Sequence, residues 1–141
     1  VGEYRAKVRP EWIDYNGHLS EPYYVLVFGD ATTALMDRTG IDPEYRQRND
    51  ASLYTVEAHV RYLHEVGPDA ELVVSTAVLD VGIKKLRLCH EMRAGGELVA
   101  TEELLCLHVT AGRTSAFPGE IARRLGRHLA PLPDYAGRAI A

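Results

Sequence analysis

One segment, Ser20 to Gly40, carries helical periodicity over a long stretch, and most of the chain beyond it alternates with a period of two. Tyr24, Val27, Phe28, Ala31 and Leu35 recur at spacings of three and four, which draws one apolar stripe along a helix. Ser20 suits an N-cap, and Glu21 and Pro22 suit a first turn, where a carboxylate and a missing N–H are both favoured. Gly40 suits the C′ position, with Pro43 shortly beyond it. A chain with one such helix must bury that stripe against something else.

The something else is a run of strands. Ahead of the helix, Glu3 to Arg9 alternates polar and apolar until Pro10 ends it. Behind it, after a polar stretch around Gln47 to Asp50, Tyr54, Val56, Ala58, Val60 and Tyr62 are expected to form one face of a strand. Thr55, Glu57, His59 and Arg61 then form the other. Gly67-Pro68-Asp69 reads as a turn, Glu71 to Asp80 as a β-branched strand, and Gly82 as its break. Lys84 to Arg93 and Leu98 to Thr110 come next as strands joined by a Gly95-Gly96 hairpin turn. A short helix is expected within Pro118 to Leu129, and Pro131 to Pro133 ends regular structure. This order predicts an α+β fold in which an antiparallel sheet of about five strands covers one long helix. Such a sheet leaves edges open, so dimerisation that continues the sheet is expected, in a homodimer or homotetramer.

Composition narrows the function classes. At 141 residues the chain is one domain, 1–141, with residues 118–141 as its terminal helix and tail. Its 46% hydrophobic and 26% charged residues are enough to build a core and exclude disorder as the main state. A net charge of −4, with arginines scattered, argues against nucleic acid as the partner. No apolar run reaches the length of a membrane span, and the first residues do not form a signal peptide. Two cysteines, Cys89 and Cys106, with no zinc-type spacing predict buried thiols, no metal site and a reducing, cytoplasmic setting. The opening at Val1 is what a trimmed chain or a piece of a longer polypeptide would have.

Chemistry-bearing residue types are densest in Trp12-Ile13-Asp14-Tyr15-Asn16-Gly17-His18, just ahead of the helix. A carboxylate there can act as base or nucleophile. The first-turn N–H groups behind it have no intrahelical partner and would polarise an acyl carbonyl aimed at them. Gly17 allows a sharp turn or a close approach to a ligand. The same Asp-x-Asn-Gly text also builds turns, so Asp14 is equally readable as a turn anchor.

Asp14-Tyr15-Asn16-Gly17-His18, followed by Tyr23-Tyr24 on a helix, resembles the signature of hotdog-fold thioesterases of the 4-hydroxybenzoyl-CoA thioesterase type. The stretches Pro10 to Leu19, Tyr54-Thr55-Val56-Glu57-Ala58-His59-Val60 and His90-Glu91-Met92 are similar to the betainyl-CoA thioesterases of bacterial carnitine degradation, some of which are joined to a carnitine dehydrogenase. The resemblance implies a hotdog fold and hydrolysis of a short cationic acyl-CoA, with no cofactor beyond the CoA of substrate and product. It implies Asp14 as the catalytic carboxylate and the backbone N–H near Glu21 as the donor to the thioester oxygen. Asn16 and His18 would shape the loop or hold a water. A pair of asparagines is common in the family where this chain has Ser20-Glu21, and Glu21 would suit a cationic acyl group.

A trimethylammonium group donates no hydrogen bond, so aromatic faces and carboxylates must hold it. Trp12, Tyr15, Tyr23 and Tyr54 are the aromatic candidates, with Tyr24 more readily assigned to the core. Lys84, Lys85, Arg87 and Arg113 are candidates for the CoA phosphates. Glu57 and His59 read best as a solvated or interface pair, and His64, His108 and His128 carry no pattern. A hotdog protein that binds CoA esters or scaffolds a partner without hydrolysis, or a thioesterase for another small or aromatic acyl group, would use the same text.

Overall fold

The computed structural model describes residues 2–140. Strand β1 (Glu3–Lys7) leads through a 3-10 turn (Pro10–Trp12) into α1 (Glu21–Arg38), then a short α2 (Pro43–Asn49). Four long strands come after it: β2 (Ala51–Tyr62), β3 (Glu71–Val81), β4 (Lys85–Ala94) and β5 (Glu97–Thr110). A two-residue β6 (Arg113–Thr114) and α3 (Gly119–Gly126) complete the regular elements. The sheet order is β1-β3-β4-β5-β2 with every pairing antiparallel, and β6 adds to the end of β5. This is the curled sheet around one helix that the periodicity predicts. The Gly95-Gly96 turn is as expected: both glycines hold positive φ, and Ala94 faces Glu97 across a two-residue loop.

The helix stripe is buried as read, from Tyr24 through Leu35 and Met36, and it covers two apolar clusters. One gathers Val27, Phe28, Leu72, Val74 and Met92 under the first half of α1. The other gathers Leu35, Leu86, Leu88, Leu104 and Leu125 under the second half. Between them sits a buried polar group, Thr32, Thr76, His90 and Glu102. Cys89 and Cys106 are buried thiols, and burial pushes Cys106 up to about 11.

Two readings need correction. The polar stretch before β2 contains a helix, α2, whose start was written in the sequence: Asp42 accepts the Tyr45 N–H at 2.9 Å, and Pro43 occupies the first turn. The alternation of β2 is also not continuous. A β-bulge at Val56, between Thr55 and Glu57, shifts the phase. Leu53 and Thr55 face the helix before it, Thr55 reaching the buried Cys106 Sγ at 3.7 Å. After it, Val60 and Tyr62 face the helix. Tyr54 therefore shares the outer face with His59 and Arg61, not the face of Tyr62.

The last residues cross that outer face. The Tyr135 hydroxyl donates to Glu91 Oε2 at 2.6 Å and lies 3.1 Å from Cys89 Sγ, while the Arg61 guanidinium stacks 4.1 Å over its ring. The Gly137 N–H donates to Glu103 Oε1 at 2.8 Å, so Cys89 is covered by this strap.

Candidate active site

The loop ahead of α1 is a small hairpin. Ile13 bridges Leu19, and inside that bridge the Asp14 N–H donates to the His18 carbonyl at 2.9 Å. The Gly17 N–H donates to the Asp14 carbonyl at 3.0 Å, and Gly17 takes φ +80°, a left-handed value that a side chain disfavours. Asp14 Oδ1 accepts the Asn16 N–H at 2.9 Å and, more weakly, the His18 N–H at 3.4 Å. Among the described residues Oδ2 has no hydrogen-bond donor facing it. Asp14 is thus a turn anchor through one oxygen, with the other left for chemistry.

Two tethers fix this hairpin against the rest of the chain. The Ser20 N–H donates to the Trp12 carbonyl at 2.9 Å, and the Leu19 N–H donates to the Val66 carbonyl at 2.8 Å. Trp12 is buried and stacks on Tyr23 with ring centres 5.5 Å apart, and the Arg9 guanidinium lies 5.7 Å over it. These contacts clamp the loop to the first turn of α1.

The helix start then leaves one donor. Pro22 has no N–H, the Tyr23 N–H donates to the Ser20 carbonyl at 3.0 Å, and the Ser20 N–H is already engaged. The Glu21 N–H has no backbone or side-chain acceptor among the described residues. It is an orphan of the helix terminus, carrying the positive end of an 18-residue dipole.

Asp14, Asn16, His18 and Glu21 line one cavity of about 670 Å³. The structure therefore brings together all four residues expected to be catalytic. Of the five expected to bind substrate it brings none into the lining. Trp12 and Tyr23 pack on each other, Tyr15 stands 96% exposed at the turn tip, Gly17 shapes the turn, and Tyr54 is on the outer face of β2. The aromatic wall is instead Tyr24 and Tyr62, edge to face with ring centres 5.1 Å apart. Leu63, His64 and Glu65 complete it from the turn after β2. The Tyr24 hydroxyl donates to the His64 carbonyl at 3.3 Å, and His18 Nε2 lies 3.1 Å from Glu65 Oε2.

Burial raises the Tyr24 phenol, and Tyr62, Glu65 and Asp14 add to the rise. Burial also raises Tyr62, with Glu21 and Glu102 adding to it. Both phenols stay neutral in this acidic surrounding. Among the described residues no group of three or more His, Cys, Asp or Glu is placed to hold a metal ion. Lys84 and Lys85 lie at the β3–β4 turn and Arg113 in β6, at the sheet end opposite Asp14. Arg87 is ion-paired to Glu103 on the outer face. No helix among the described residues is long and apolar enough to cross a membrane.

A carboxylate oxygen and a helix-start N–H left without partners on two residues that line one cavity are the groups that could attack and polarise an acyl carbonyl, and one such donor contributes about 10²–10³ in rate. Comparisons with known proteins show which family the chain falls in. Residues 8–125 match the Thioesterase-like superfamily. The chain is 38% identical to a betainyl-CoA thioesterase of Pseudomonas aeruginosa, over 97% of this chain and 92% of that one. It is 46% identical to an L-carnitine dehydrogenase/betainyl-CoA thioesterase of Agrobacterium fabrum, over 97% of this chain but 30% of that longer protein. Among solved structures, a candidate thioesterase of Pseudomonas putida KT2440 superposes with a TM-score of 0.87 at 40% identity, covering 98% of this chain and 94% of that one. A Staphylococcus aureus protein solved in complex with CoA shares the fold, with a TM-score of 0.90 at 24% identity over 99% and 93% of the two chains. Because the matched span holds the Asp14 loop, the long helix and all four long strands, the chain belongs to the Thioesterase-like superfamily and has its hotdog fold.

Proposed function

We propose that this chain hydrolyses a short cationic acyl-CoA, betainyl-CoA, to betaine and CoA. The observation that carries this reading is the pairing of Asp14, pinned through Oδ1 with Oδ2 free, with the unengaged Glu21 N–H across one cavity. Two relatives that carry the betainyl-CoA thioesterase name over nearly the whole of this chain support the substrate.

In this mechanism the thioester oxygen accepts from the Glu21 N–H, which stabilises the charge that builds on it as the carbonyl carbon is attacked. The attacking oxygen belongs to Asp14 itself or to a water whose proton Asp14 takes. When Asp14 attacks, the C–S bond breaks to give an acyl–Asp14 anhydride and the CoA thiolate, and water then cleaves the anhydride and frees Asp14. When water attacks, Asp14 takes its proton and the departing sulfur receives it as the C–S bond breaks. Asn16 and His18 hold the carboxylate through their N–H groups, and the His18 ring is oriented by Glu65. CoA is substrate and product, and no separate cofactor takes part.

The working unit is a homodimer built on β2. This strand is an edge of the sheet, and it exposes Tyr54 and Val56. Antiparallel pairing of two β2 edges about a two-fold axis sets the half of one strand that bears Tyr54 against the half of the other that bears Tyr62. The enzyme works in the cytoplasm and is linked to a carnitine dehydrogenase, with which the Agrobacterium relative shares one chain.

Free-thiol release from betainyl-, acetyl- and 4-hydroxybenzoyl-CoA, with Asp14→Asn in parallel, tests the reading. Hydrolysis of betainyl-CoA that the variant loses is expected. Thiol release from none of the three sinks the reading, and equal release from all three removes the cationic substrate while keeping Asp14. Light scattering behind a sizing column checks the dimer, which a monomer mass would overturn.

A further inference from the structure

We infer that Tyr62, braced by Tyr24 in a cavity that Glu21 and Glu65 also line, is the seat of the quaternary ammonium and sets the preference for a cationic acyl group. The inference rests on the thioesterase reading and moves the recognition element away from Trp12, Tyr15, Tyr23 and Tyr54.

The cavity chemistry leads there. Among the described residues no lysine or arginine lines it, whereas Asp14, Glu21 and Glu65 do. Its two imidazoles each face a carboxylate, His18 toward Glu65 at 3.1 Å and His64 toward Glu97 at 3.8 Å. A cation that carries N–H groups would be drawn to a carboxylate by hydrogen bonds. One wrapped in methyl groups can only sit on an aromatic face with carboxylates nearby. Tyr62 offers that face. Tyr24 is buried and braces Tyr62 through an edge-to-face contact at 86°, while Tyr62 keeps 43% of its surface exposed.

Position fits as well. In a betainyl thioester the nitrogen is two bonds, about 2.5 Å, from the carbonyl carbon. Its seat must therefore share the cavity with Asp14, as Tyr62 does and as Tyr15, Tyr23 and Tyr54 do not. The helix start that polarises the carbonyl also repels a neighbouring cation, and Glu21 in the first turn offsets that repulsion.

The test compares betainyl-CoA with 3,3-dimethylbutyryl-CoA, its neutral isostere with carbon in place of nitrogen. Wild type is expected to prefer the cation by roughly ten-fold or more in kcat/KM. Tyr62→Leu should lower kcat/KM for betainyl-CoA about ten-fold more than for the isostere. Tyr62→Phe, which keeps the ring, should restore the preference, and Glu65→Gln should lower it several-fold. Equal losses on both esters in Tyr62→Leu, or no preference in wild type, would overturn the inference while leaving the thioesterase reading intact. No thiol release from either ester by wild type would remove that reading itself.

Discussion

The Nε2 atom of His90 lies 2.7 Å from the Thr32 hydroxyl, deep beneath the middle of α1. That hydroxyl spends its one proton on the Phe28 carbonyl at 3.1 Å, so it accepts from the imidazole and fixes the proton on Nε2. Nδ1 then accepts from Thr76 at 2.8 Å, and both ring nitrogens are satisfied in the neutral form. Burial away from water disfavours the charged ring and pushes His90 down to about 3.

This histidine makes stability fall on acidification. Between an unfolded value near 6.5 and a folded value of about 3, the unfolded chain binds the proton and the folded one does not. Its contribution is therefore complete above pH 6.5 and is lost as pH drops toward 3. Thr76→Val leaves Nδ1 without a donor and should cost about 1–3 kcal/mol in urea unfolding at pH 7.

Glu102, on the neighbouring strand, gives the opposite slope. It is 5% exposed and burial raises its carboxyl to about 7. Between the ordinary carboxyl value of 4.5 and about 7 the folded chain holds the proton that the unfolded chain releases, so stability falls as pH rises through that window. Glu102→Gln removes this and should stabilise the protein by on the order of 2–3 kcal/mol at pH 8, with little gain at pH 4. Chemical denaturation at the two pH values reads the difference, and equal effects would contradict it.

Asp14→Asn should separate chemistry from folding. An amide oxygen can still accept the Asn16 N–H, so the melting temperature should stay within about 2 °C of wild type. The lost carboxylate should lower kcat by about 10²–10⁴. Asp14→Ala removes the acceptor as well and should lower both quantities.

The strap over the outer face should govern access to Cys89. Tyr135→Ala removes the ring that covers the thiol and its hydrogen bond to Glu91, so Cys89 should react faster with a thiol reagent under native conditions. Cys106, buried in the core, should remain slow. Unchanged labelling of Cys89 would mean that the strap does not control access.

Distance along the chain separates the cavity residues that the sequence already brings together from those that only the fold brings in. That Asp14, Asn16, His18 and Glu21 gather in one place was legible because loop and helix start are neighbours along the chain, and a local turn sets their geometry. Tyr62 and Glu65 were not, since they reach the cavity only through the Leu19 N–H tether to Val66 and the closure of β2 on β5. Tyr24 was legible as core and is core, yet the exposed side of its contact with Tyr62 belongs to the site. Tyr23 and Trp12 satisfy each other, a pairing that residue type alone does not reveal. The Asp42-Pro43 signal for α2 was present and simply short.

The bulge at Val56 gives residue number two meanings on one strand. N-terminal to it, an even number such as 54 addresses the outer surface. C-terminal to it, an even number such as 62 addresses the cavity that Asp14 lines. Strict alternation would put Tyr54 and Tyr62 on the same side of β2; the one inserted residue turns the first outward and the second inward, so a single strand presents an aromatic ring to each of its two faces.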